Sequence, residues 1–252
     1  GAETCQNKSN GNWYTHPAFT FGDTELKGIW VAKFKTTGSI TAPTVKPGVS
    51  PLNNINISNM YSASKLIRST NYLTTTGANE SDSHMMKNIE WGAVAYLKQS
   101  NYGLGITDIT INDNSSFYTG GGSGTSYKTN AGQSTSGNIT GVYDMSGGEW
   151  EYVMGNYNKQ AGNSGLTVST VPTEHIDIYG ASYSHLGDAT GETAGWYSDI
   201  TGFVSSSNPW FLRDLFTNTQ DRAGIFSCGN YFTDYSGNAN ERLGFHVVLS
   251  VK

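Results

Sequence analysis

The chain has 252 residues, 36% hydrophobic and 14% charged, enough to bury a substantial core in one large domain or two small ones. A net charge of -5 and a pI near 5.5 leave no positive footprint for phosphate-backbone binding, so no nucleic-acid partner is expected. No apolar run approaches the roughly 20 residues of a membrane helix, and no membrane insertion by this chain is expected. The amino-terminal GAETCQNKSNGNW lacks the charged and apolar regions of a signal peptide. An opening Gly-Ala is also what a cleavage scar leaves, so a removed leader or anchor stays open.

In GIWVAKFKTT, Trp30, Ala32 and Phe34 alternate with Val31, Lys33 and Lys35, the period of a half-buried strand. The following TAPTVKPGVSPLNN carries Pro43, Pro47 and Pro51, which remove backbone donors, and is expected to be an extended connection. Met60, Ala63 and Ile67 then recur at helical spacing in SNMYSASKLIR, with Ser58 or Asn59 available as the cap. A longer helix is predicted over SDSHMMKNIEWGAVAYLKQS, where Met85, Ile89, Ala93 and Leu97 share a face, Asp82 or Ser83 caps and the NYG ending at Gly103 stops it.

Beyond Gly103 the pattern is short apolar stretches separated by Gly, Asn and Ser, which predicts strands and loops. Two early helices with β structure at both ends and no compositional break predict one α+β domain over residues 1–252, its final strand pairing with its first. TGGGSGTS, Thr119 to Ser126, lacks the G-K-[ST] ending of a phosphate loop and reads as a flexible surface loop. DITINDNSS offers Asp108, Asp113 and Asn114 to calcium, but without EF-hand spacing a plain turn is the preferred reading. His16, His84, His175, His185 and His246 are dispersed, no HExxH or G-x-S-x-G occurs, and Cys5 and Cys228 belong to no zinc-ligand pattern. Neither a resident metal nor a cofactor is expected. A Cys5–Cys228 disulfide is possible on count alone.

GVYDMSGGEWEYVMGNY packs Val142, Met145, Trp150, Val153 and Met154 around a glycine pair. It resembles the GNVWEW region of the C-type-lectin-like fold of formylglycine-generating enzymes and their relatives, and LGFHVV resembles that family's closing GFRVV strand. KNIEWGAVAYLKQSNYG is similar to the second-helix region of a bacterial and phage branch of the family, the variable proteins of diversity-generating retroelements. The resemblance runs from about THPAFTF to the carboxyl terminus and implies a C-type-lectin-like α+β fold in which Trp91, Trp150 and Phe245 are scaffold.

Enzymes of this fold use a pair of carboxyl-terminal thiols to bind copper, or a His/His/Glu set to bind iron. PWFLRDLFTNTQDRAGIFSCGNY holds only Cys228, and the sequence displays no such histidine set, so the resemblance implies a non-enzymatic protein, with a metal-dependent oxidase of the formylglycine-generating type and a constant adhesin or tail-fibre module as the alternatives. In the retroelement branch, adenines of asparagine codons are rewritten near the end of the gene, which reaches many residue types but never Gln, Glu, Lys, Met or Trp. Asp214, Leu215, Phe216, Asn218, Asp221, Arg222, Ser227, Cys228, Asn230, Tyr231, Phe232, Asp234 and Tyr235 fall in the reachable set, whereas Gln220 and Glu241 do not. Within NYFTDYSGNANER, aromatics for rigid contact area stand beside acids, amides and an arginine for directional bonds, the mixture of a recognition surface. These residues, within a variable region of about 208–246, are expected to bind a protein or glycan ligand. Phe216, Tyr231 and Phe232 would anchor it, while Asp214, Asp221, Arg222 and Asp234 set specificity. The resemblance implies display on a bacterial cell surface or phage particle.

Overall fold

A computed structural model describes residues 4–7, 11–70, 81–180, 184–215, 220–229 and 235–251. Two hairpins open the chain, β1 (Thr4–Asn7) with β2 (Gly11–Tyr14) and β3 (Thr20–Phe21) with β4 (Thr24–Glu25). Next come β5 (Ile29–Val31), the hairpin of β6 (Thr37–Ser39) and β7 (Ala42–Thr44), helix α1 (Ile57–Thr70), β8 (Ser81–Met85) and helix α2 (Asn88–Gln99). The second half holds β9 (Trp150–Tyr157), β10 (Asp177–Tyr179), β11 (Trp210–Arg213), the single turn α3 (Gln220–Ala223), β12 (Cys228–Gly229), β13 (Leu243–Gly244) and β14 (Val247–Val251). The architecture is mixed α+β, with two long helices and several small sheets. Among the described residues no helix is long and apolar enough to cross a membrane.

The sheet that organises the second half has the order β10-β9-β11-β12, with β13 also pairing β9. Strand β9 is buried along seven of its eight residues, because both of its edges are paired and both of its faces are covered. Its alternation sends Trp150, Tyr152 and Met154 into a core shared with α1, and Val153 into a second core shared with α2. In the other main sheet β14 lies between β5 and β8, antiparallel to both. The closing strand therefore pairs with Ile29–Val31, as the sequence predicts. Met86 joins the sheets through its backbone, donating to His246 O at 3.0 Å and accepting from Met154 N at 2.8 Å.

Several expectations are corrected by the tertiary structure. The strand foreseen across residues 28–37 is regular only over Ile29–Val31, and its supposed inward Trp30 is 70% exposed. Lys35, foreseen on the opposite face from Phe34, is as deeply buried as Phe34, because carboxyl groups await it inside. Pro43 lies within β7, which as the edge of a two-stranded hairpin tolerates a missing donor. Helix α1 forms as foreseen, with Met60, Ala63 and Ile67 buried, but Asn56 is the cap, its Oδ1 accepting from Asn59 N at 3.0 Å.

The longer helix begins at Asn88 rather than at Asp82. All five residues of Ser81–Met85 pair with Val247–Val251, and that ladder outweighs the local helical spacing. The buried face of α2 is built from Trp91, Val94, Ala95 and Lys98, leaving Leu97 exposed. Two carboxylates satisfy its first free amides: Glu90 accepts from Lys87 N at 2.8 Å, and Asp177 of β10 accepts from Ile89 N at 2.8 Å. The glycine-rich 119–126 stretch is tied down rather than loose, since Thr119 Oγ1 donates to Lys46 O and Gly120 N to Asp144 Oδ1. Asn114 forms a turn, its Oδ1 accepting from Ser116 N at 3.0 Å.

Candidate functional site

Strand β11 delivers the carboxyl-terminal segment from the interior. Arg213 is buried, with Nε donating to Asn88 Oδ1 at 2.8 Å and its terminal nitrogens to the carbonyls of Ala189 and Asp188. Asp214 follows in the left-handed backbone region at φ 54°, with its carboxylate turned inward. Its Oδ2 accepts from Lys35 Nζ at 3.2 Å and its Oδ1 from Gly147 N at 2.7 Å. Around Lys35 gather four buried carboxyl groups, Asp144, Glu149, Glu151 and Asp214. Glu151 is also bonded to His246 Nδ1, whose other ring nitrogen faces Tyr143 O at 3.1 Å.

Four carboxyl groups share one ammonium, and burial raises the pKa of three of them, Asp144, Glu149 and Asp214. Burial pushes Asp214 up to about 8 and Glu149 up to about 7, and Lys35 opposes both shifts. Burial works against the Lys35 charge, yet Asp214, Glu151, Asp144 and Glu149 together hold its pKa above the ordinary value. The cluster is a buried structural network that fixes the start of the segment.

Among the described members of the thirteen candidate contact residues, four stand inside the protein. Asp214 is held by Lys35, and Leu215 belongs to the core around α1. Ser227 donates to Arg222 O at 2.7 Å, and Cys228 is a buried free thiol paired through β12 with Arg213. Their side chains are scaffold, and the codon argument could not detect this because codon reachability carries no information about burial. Arg222 is half-buried, and its carbonyl also receives Leu215 N at 2.7 Å, closing the chain on either side of residues 216–221. Tyr235 is half-buried, its ring edge-on to Trp150 at 4.9 Å. Phe216, Asn218, Asn230, Tyr231, Phe232 and Asp234 lie outside the described residues, as does the side chain of Asp221.

A second constellation was not visible in the sequence. Asp82 and His84, two apart on β8, present to the same face, and the turn Thr173–His175 brings His175 against them. His84 Nδ1 lies 2.8 Å and His175 Nε2 3.0 Å from the same oxygen, Asp82 Oδ1. The outer nitrogens are also engaged: His84 Nε2 with Glu90 Oε1 at 2.9 Å, and His175 Nδ1 with Tyr61 OH at 2.7 Å. Phe21 packs against both imidazoles.

Burial disfavours the charged His84 ring, but Glu90 and Asp82 outweigh it and its pKa is pushed up to about 9. Burial acts upward on Asp82 as well, yet the two histidines hold its carboxyl far below the usual range. The signal that could have found this site is Asp-Ser-His read as a strand. Read as the start of a helix, the same residues share no face.

The protein is thus of the mixed α+β class, with a buried ionic network holding Asp214 at the start of its carboxyl-terminal segment and an Asp/His/His cluster between α1, β8 and the 173–175 turn. Comparison of the chain with protein-family models and with curated proteins gives no match.

Proposed function

We propose that the chain is a C-type-lectin-like, non-enzymatic binding protein of a diversity-generating retroelement, displayed on a bacterial cell surface or phage particle to recognise a protein or glycan. The observation that carries this reading is the framing of the carboxyl-terminal segment. Residues 216–221 stand between buried Leu215 and the buried run Ala223–Gly229, and residues 230–234 between Gly229 and the Tyr235–Trp150 contact. Buried anchors on both sides of each stretch hold the chain there independently of which residues stand between them, which is what a diversified surface requires. The small sheets, the two early helices and the closing β14–β5 pairing support the fold assignment. The contact set reduces to Phe216, Asn218, Asp221, Arg222, Asn230, Tyr231, Phe232, Asp234 and Tyr235.

Sequencing the 3′ end of the gene across a population of its source tests the reading. Adenine-directed substitutions are expected at the codons for 216, 218, 221, 222, 230–232, 234 and 235, with those for Asp214, Leu215, Ser227 and Cys228 constant. A uniform population would move the function to a fixed adhesin or tail-fibre module. In the protein, Tyr231→Ala with Phe232→Ala is expected to abolish ligand binding while leaving Tm unchanged; a large fall in Tm would make these two residues core.

A further inference from the structure

We propose that Asp82, His84 and His175 form a binding site for a divalent first-row transition-metal ion, with zinc the ion that best matches the donors. The three residues offer ligand atoms that all lie within 4.8 Å of one another. Bonds of 2.0–2.1 Å to a tetrahedral ion require ligand atoms about 3.3 Å apart, so the contacts of 2.8 and 3.0 Å to Asp82 Oδ1 need to open only slightly, while the two ring nitrogens, within 4.8 Å of each other, need to close by at most about 1.5 Å. Imidazole nitrogen with a carboxylate oxygen suits zinc and its neighbours, whereas calcium and magnesium take oxygen donors.

The surroundings strengthen the assignment. A histidine that ligates a metal commonly gives its other ring nitrogen to a carboxylate or similar acceptor, which fixes tautomer and orientation. Here both histidines have such a partner, Glu90 for His84 Nε2 and Tyr61 OH for His175 Nδ1. Asp82 and Glu90 together carry the two negative charges that balance a divalent ion bound by neutral imidazoles. The rings are buried, while the Asp82 side chain keeps 21% of its surface exposed, giving the ion a path in. Three protein ligands leave a fourth position for water or for a donor atom of a bound molecule.

The test uses the tag-free full chain, stripped with a chelator, dialysed and titrated with Co2+ and then Zn2+. Visible d–d bands saturating at one equivalent of Co2+, abolished by Zn2+, are expected together with a Tm rise that saturates at the same point. In the wild-type protein the imidazole 15N resonances of His84 and His175 should shift on adding Zn2+, with those of His16, His185 and His246 unchanged. Asp82→Asn, at the partly exposed position, and His175→Gln should each lose the stoichiometric bands with the far-UV circular dichroism unchanged. Tyr61→Phe, acting through His175, should weaken Zn2+ binding about tenfold. Absence of a one-equivalent endpoint overturns the proposal, as do unshifted His84 and His175 resonances or bands that persist in Asp82→Asn. If a ligand variant does not fold, the wild-type resonances decide.

Discussion

Gly92 illustrates how much rests on single residues. A Cβ at this position of α2 would stand 2.1 Å from the Gly187 carbonyl oxygen and 2.7 Å from the Asp188 carbonyl carbon, both backbone atoms with no rotamer to yield. Gly92→Ala should therefore destabilise the protein by at least about 1–3 kcal/mol, read as a lower denaturant midpoint at unchanged m-value. Lys35 is the opposite case, a charge that must be present. Lys35→Met would leave Asp144, Glu149, Glu151 and Asp214 without their ammonium, and a loss of about 3–5 kcal/mol is expected at pH 7, measured by chemical denaturation. Neither role shows in the sequence: Gly92 stands in a good helical pattern, and Lys35 in a pattern that puts lysine in water.

At the scale of elements, legibility depended on where each element gets its stability. Helix α1 was legible because its buried stripe of Met60, Ala63 and Ile67 is local information. Its cap, Asn56, lies two or three residues before the Ser58 or Asn59 that the spacing offers, and Asn56→Ala, which removes the bond to Asn59 N, should cost about 1 kcal/mol by thermal or chemical denaturation. Strand β8 was not legible. Its five residues pair with the far end of the chain, and no local window around Ser81–Met85 contains Val247–Val251. That one error hid the Asp82/His84 face, so a mistaken element concealed a candidate site.

For the whole molecule, the buried carboxyl groups set how stability follows pH. Asp177 is pushed up to about 6, Glu149 to about 7 and Asp214 to about 8, each chiefly by burial. A carboxyl whose folded pKa is raised holds more protons folded than unfolded. Its contribution is therefore complete below the unfolded pKa, near 4, and is lost as pH rises through the folded value. Tm should fall between about pH 5 and 8, the window these shifts define. Glu149, which faces Lys35, Asp144 and Asn53, can be isolated from the rest. Glu149→Gln should flatten that fall while leaving Tm at pH 5 little changed, and an undiminished slope in the variant would mean that Glu149 does not titrate in this window.

By itself the sequence determined the α+β class, helix α1, the pairing of the final strand with Ile29–Val31, and the apolar character of the GVYDMSGGEWEYVM stretch. These depend on periodicity and composition, which persist in any one-dimensional reading. Only the tertiary structure decided that Asp214, Leu215, Ser227 and Cys228 face inward, that Lys35 is buried among acids and that Asp82, His84 and His175 meet. Each of these depends on contacts between residues far apart along the chain, such as Lys35 with Asp214 or Asp82 with His175. A residue's solvent exposure and charge state are set by those distant neighbours rather than by the residues beside it.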